Sequence, residues 1–159
     1  MDLLNLAAAN NGNLNGMNFT GQDLSGLDLG GISLQRANLR GANLSGARLV
    51  SADLTGANLS GARLVETDLA AAQLKNARLC SADFTRANLS KTSLRGADLS
   101  KADLTNAKLR NTDLTRASLM GALVSDRELR DCCHLNSTVL PQGDIVTTST
   151  AGVPLGAAG

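Results

Sequence analysis

Cys132, Cys133 and His134 are adjacent in the chain, and His134 is its one histidine. Two thiols beside an imidazole could hold a soft metal or act as a nucleophile and its base. The spacing argues against both. Metal sites need three or four ligands and usually set cysteines two to four residues apart. A Cys–His nucleophile also needs an orienting group and a cleft. Adjacent cysteines are poorly placed to pair with each other, and the third, Cys80, lies far upstream at an outward-facing position. A redox or metal site at this triplet is therefore kept as an alternative to a structural role in an end cap. The carboxylates Asp53, Asp68, Asp83, Asp98, Asp103 and Asp113 suggest acid–base pairs, but they recur at multiples of five. A repeat accounts for each of them without chemistry. The 16 glycines include no G-x-x-x-x-G-K-[ST] phosphate loop. No catalytic residue, cofactor or metal is expected, and the chain does not read as an enzyme.

What would position these residues is a period of five. From Leu14 to Leu119 every fifth residue is Leu or Phe, 22 consecutive positions with Phe19 and Phe84 the only aromatics among them. Two residues before each, from Ala37 to Ala122, stands Ala, replaced only by Thr67, Thr92 and Thr112. On a helix five steps leave a net rotation of about 140°, which would spread Leu over every face. In a flat strand five is odd, so alternate Leu would meet water. A unit that keeps them together is a three-residue extended piece, Ala-x-Leu, with both ends inward and a two-residue corner. Glycines at many corners suit the backbone angles of tight turns. Stacked coils of such units form a solenoid with a narrow Ala/Leu interior. Leu54, Leu64, Leu74, Phe84, Leu94, Leu104 and Leu114 are representative core positions.

The pattern A-(D/N)-L-x-x, as in Ala52-Asp53-Leu54-Thr55-Gly56, resembles the pentapeptide repeat family over roughly residues 12–123. The resemblance implies an all-β solenoid, a right-handed quadrilateral β-helix with four repeats per coil. Four sides come from the family, because the Gly-Ala-Arg-Leu-Val repeated at 46–50 and 61–65 is 15 residues apart and does not show a period of 20. About 22 units would then make about 5.5 coils, a rod roughly 26 Å long at ~4.8 Å per stacked strand.

The expected organisation is an N-terminal cap over 1–11, helical from Asp2 to Ala9, and a β-helix over 12–124. A C-terminal capping helix over 125–135 and a flexible tail over 136–159 follow. Gly12, Met17, Gln22, Leu27 and Ile32 break the small-residue rule, which predicts a wider or irregular first coil. Ser125-Asp126-Arg127-Glu128 is a capping-box pattern leading into Leu129, Cys132 and Cys133 at helical spacing. An uncovered coil end exposes strand edges, so end-to-end association into a homodimer is also considered.

Charge narrows the partners. Residues 12–121 carry nine Arg and four Lys against eight Asp and one Glu, a surplus of four positive charges. Some members of the resembled family protect topoisomerases from quinolones by mimicking DNA, which makes gyrase protection or inhibition an alternative function. A positive rod has the wrong sign for that. It is also too weakly charged and too poor in aromatics for direct nucleic-acid binding. Outward residues such as Asp28, Arg48, Asp68, Asn88 and Lys108 should stack in a mixed-sign column that stabilises the coil. Polar residues are missing at Val50, Val65, Ala70 and Ala71, a candidate partner patch on a polar rod. Three cysteines exclude a complete disulfide framework, and no apolar run or basic N-terminal start marks a membrane span or signal peptide. The expectation is a cytoplasmic interaction scaffold that presents a rigid surface to a protein partner still to be identified.

Overall fold

The computed structural model describes residue 7 and residues 10–132 and 134–146. The expected N-terminal cap therefore lies almost wholly outside the described residues, as do Cys133 and the segment 147–159. Within them the dominant feature is a parallel ladder in which each outward residue pairs with the one 20 positions later, from Asn13↔Ser33 to Asp103↔Leu123. Twenty residues hold four five-residue units, so the coil has four sides. Sides A, B, C and D carry the columns that begin at Asn13, Asn18, Asp23 and Asp28.

Each unit is built alike. The inward Leu donates its N–H to the coil above, as Leu54 does to the Gln73 carbonyl at 2.7 Å. The residue before it donates to the coil below, as Asp53 does to Ile32 at 2.9 Å. The corner closes when the next Ala donates back to the Leu carbonyl, Ala57 to Leu54 at 3.0 Å. All the Leu and Phe positions from Leu14 to Leu119 are buried, and so are Ile32 and the Ala and Thr residues from Ala37 to Ala122 at the other inward position of each unit. Thr67, Thr92 and Thr112 fit among the Ala because each hydroxyl donates to a carbonyl of the coil below, those of Leu44, Leu69 and Leu89 at 2.7–2.8 Å. A buried hydroxyl without such a bond would cost about 1–3 kcal/mol.

The second residue after each Leu has a positive φ, with the hydrogen bond of a type II turn. Glycine adopts that angle without strain, and Asn tolerates it. Ala71, at φ 59°, has neither advantage. Ala71→Gly is expected to stabilise the protein by about 1 kcal/mol, seen as a higher midpoint in urea at unchanged slope.

Two expectations need correcting. The first coil is not irregular: its bridges keep the same 20-residue register as the rest. Of its larger residues, Met17 and Leu27 pack half-buried against the core, and Gln22 is exposed. At the other end the coil does not stop at 124. The helix α1 (Asp126–Arg130) is five residues long and replaces one side of a coil. The ladder then resumes one residue out of step, with Asp113↔His134 and Ser118↔Val139. The segment 136–146 is thus part of the fold and no loose tail. Thr138 and Leu140 are buried, and the turn at 141–143 folds the chain back into the antiparallel bridge Val139↔Ile145.

Candidate functional site

The recurrent carboxylates serve the corners. Asp53, Asp83, Asp98, Asp103 and Asp113 each accept the backbone N–H two residues ahead, at 2.9–3.0 Å. Asp68 does the same for Ala70 at 3.1 Å. At Asp53, Asp98 and Asp113 such bonds favour the ionised form. The Cys80 thiol, then the Ser100 hydroxyl, hold Asp98 below the usual carboxylate range. Burial would raise Asp53 and Asp113, but bonds from Thr55 and Thr115 outweigh it and both are lowered. Folded-state values below the unfolded ones stabilise the fold above the ordinary Asp pKa, and that contribution disappears as pH falls through the folded values. The melting temperature should therefore be flat from about pH 8 to 5 and decline below about pH 4. A decline already complete by pH 5 would contradict these assignments.

The cysteines do not assemble a reactive centre. Cys80 Sγ donates to Asp98 Oδ2 at 2.9 Å, and burial, then Asp98, push its thiol pKa up. A raised pKa keeps it protonated and weakly nucleophilic. Cys132 is buried, whereas His134 is exposed and its backbone pairs with Asp113. The two side chains of the triplet that are described thus face opposite ways. Among the described residues no three His, Cys, Asp or Glu side chains are grouped so as to hold a metal.

The apolar patch is split. Val50 and Ala70 are stacked neighbours, with Ser51 N–H bonded to the Ala70 carbonyl at 2.9 Å, and Ala71 follows on the same corner between sides D and A. Val65 sits on the opposite corner of side D. All four are only half-exposed. Between the two corners runs the expected mixed column. Arg48 Nη1 is 3.0 Å from Asp28, and Asn88 Nδ2 donates to Asp68 at 2.9 Å.

The feature that sequence reasoning missed is a groove of about 620 Å³ between side D and α1, lined by Lys108, Arg110, Arg127, Glu128 and Asp131 among others. Its cause is local. Ser125 caps α1 and its carbonyl accepts the Leu129 N–H, which takes the chain off the ladder. Glu128 compensates: one carboxylate oxygen accepts the Asn106 N–H, which on other coils meets a carbonyl, and the other accepts the Ser125 N–H at 2.7 Å. A signal was present in the sequence. Val124 and Leu135 are eleven residues apart, two units plus one, so an inserted residue was legible although its geometry was not.

Comparison with known proteins follows the same repeat. The family model for pentapeptide repeats matches residues 4–41, 32–69, 62–100 and 97–126. Comparison with curated proteins gives no significant match. Among solved structures, Rfr23 from the cyanobacterium Cyanothece 51142, a pentapeptide repeat protein, is 27% identical at a TM-score of 0.55. That alignment covers 82% of this chain and 98% of Rfr23. A pentapeptide repeat protein of the Arabidopsis thaliana thylakoid lumen is 32% identical over 69% of this chain and 72% of its own, at a TM-score of 0.46. QnrB1, a plasmid-mediated fluoroquinolone resistance protein, is 22% identical over 84% of this chain and 83% of its own, at a TM-score of 0.41. With the family match running from residue 4 to 126 and the 20-residue ladder beneath it, the chain belongs to the pentapeptide repeat family, whose members are right-handed quadrilateral β-helices.

Proposed function

We propose that the protein is a non-enzymatic scaffold whose flat sides bind a protein partner. The observation that supports this reading is the use made of its reactive groups. The ladder carboxylates brace corners, Cys80 is tied to Asp98, and Cys132 is buried. What the molecule offers outward is a set of rigid polar columns at fixed spacing, and a rigid surface loses little conformational entropy on binding. The reading is tested with a photo-crosslinking amino acid placed in turn at Gln73, Arg78, Arg63 and Asn88, one on each side. In cells that make the protein, one side should give a discrete crosslinked band and the others none. Uniform or absent crosslinking from all four sides would overturn it. DNA mimicry has no support in the surplus of positive charge between residues 12 and 121. Supercoiling by gyrase should accordingly be unchanged by the protein, with or without a quinolone.

A further inference from the structure

Among the inward Leu and Phe residues from Leu14 to Leu119, Leu109 is the one whose N–H has no carbonyl above it, and that gap is the groove. On a complete coil the outward residue of the strand above does two things. It donates its N–H to the carbonyl two before the Leu, and its carbonyl accepts the Leu N–H. Side D shows both one coil lower, where Asn88 N–H meets the Thr67 carbonyl at 2.9 Å and Asn88 O accepts from Leu69 at 2.8 Å. Above Lys108 the chain has left for α1. The Leu109 N–H and the Ala107 carbonyl therefore have no partner there, while Asn106 and Asn111 on either side are satisfied by Glu128 and Asp131. A single outward-facing residue is missing from this turn of the ladder, between Leu123 over Asp103 and His134 over Asp113.

The surroundings define what could fill it. The inward slot is already taken by Leu129, which is buried, so an incoming chain needs no apolar anchor. Lys108, Arg110 and Arg127 line the opening, and none of them lies within ion-pair distance of a carboxylate among the described residues. Glu128 is occupied by the Asn106 and Ser125 hydrogen bonds, which leaves Asp131 as the groove's remaining carboxylate. Lower on the same side a carboxylate stacked beside a cation does form a pair, Asp28 with Arg48.

We propose that this gap is a β-augmentation site for an extended acidic segment of a partner protein. One Asp or Glu of that segment supplies the two missing backbone bonds and stacks its carboxylate beside Lys108. This rests on the scaffold reading and names the surface and the partner chemistry within it. Backbone pairing gives the binding, and the cations select for acidic sequence and speed association.

The probe is a blocked hexapeptide, Ser-Val-Asp-Val-Asp-Ser, added to the full-length protein with isotope-labelled amides. At saturation the Leu109 amide should exchange with solvent at least tenfold more slowly, and the largest shift changes should map to 106–111 and α1. Lys108→Glu with Arg110→Glu should weaken binding at least tenfold without altering the far-UV spectrum. The same peptide with Lys for Asp should not bind. The proposal is overturned if the acidic peptide leaves Leu109 exchange unchanged, if the Lys peptide protects it equally, or if inorganic phosphate alone does so. In those cases a crosslinked partner on any side would still uphold the scaffold reading, which fails only by its own experiment.

Discussion

Leu64→Lys is expected to abolish folding at 37 °C or to lower the urea midpoint by more than any outward substitution. Leu64 is 1% exposed. Its N–H pairs with Asp83 above, its neighbour Arg63 pairs with Ala42 below, and Ala62 donates back to Leu59. The side chain therefore cannot swing outward without breaking the coil. A buried ammonium without a partner costs several kcal/mol, a large share of the stability of a small domain. Arg63→Lys, one residue away and exposed, should change stability by less than about 0.5 kcal/mol. Equally mild thermal melts for the two would mean that the inward phase is misassigned.

The second large effect concerns the C-terminal closure. Removing 124–159 takes away Leu129, Cys132, Thr138 and Leu140, all buried. It also deletes the carbonyls of Asp131, His134, Asn136, Val139 and Pro141 that accept from Asn111, Leu114, Arg116, Leu119 and Gly121. A ring of Leu and Ala and a row of unpaired N–H groups would then face solvent, a template for a second copy. Light scattering should show end-to-end dimers or larger aggregates for this truncation and a monomer for the full chain. A monomeric truncation with an unchanged melting temperature would show that the segment closes nothing.

The five-residue period was legible because each coil needs the same two inward residues, and from Ala37 to Leu119 only Leu, Phe, Ala or Thr stands at those positions. Its corners were legible too, since ten of the positive-φ sites between Gly16 and Gly121 are glycine. The roles of the carboxylates followed once the repeat was seen, although the bond from Asp to the N–H two residues ahead is a geometric fact that composition does not carry. The ends were read less well. Ser125 and Glu128 announced a helix start correctly, but a capping box specifies only where a helix begins. Whether the chain afterwards leaves the coil or rejoins it depends on side chains such as Leu135 and Leu140 finding the interior again. Their phase, displaced by one, is written in the eleven-residue spacing of Val124 and Leu135 but was overlooked in a segment poor in charge that resembled a tail. The groove was illegible for a deeper reason. It consists of backbone groups left unpaired, and an unpaired Leu109 N–H has no signature in sequence. Val50, Ala70 and Val65 were picked out for lacking polar atoms, yet their placement on two corners with Arg48 and Asp68 between them splits the patch.

Amide hydrogen exchange across the whole coil tests the account most directly, because the 20-residue ladder assigns every backbone N–H a partner or none. The account predicts a five-residue rhythm from Leu14 to Leu119. The Leu, the residue two after it and, from Ser33 onward, the residue before it should exchange slowly. Where no Asp or Asn precedes the Leu, the residue just after it, as at Lys75 and Arg95, should exchange fastest, and Leu109 should be the one inward Leu that exchanges early. Uniform protection, a helical pattern, or slow exchange at Leu109 in the unliganded protein would contradict it.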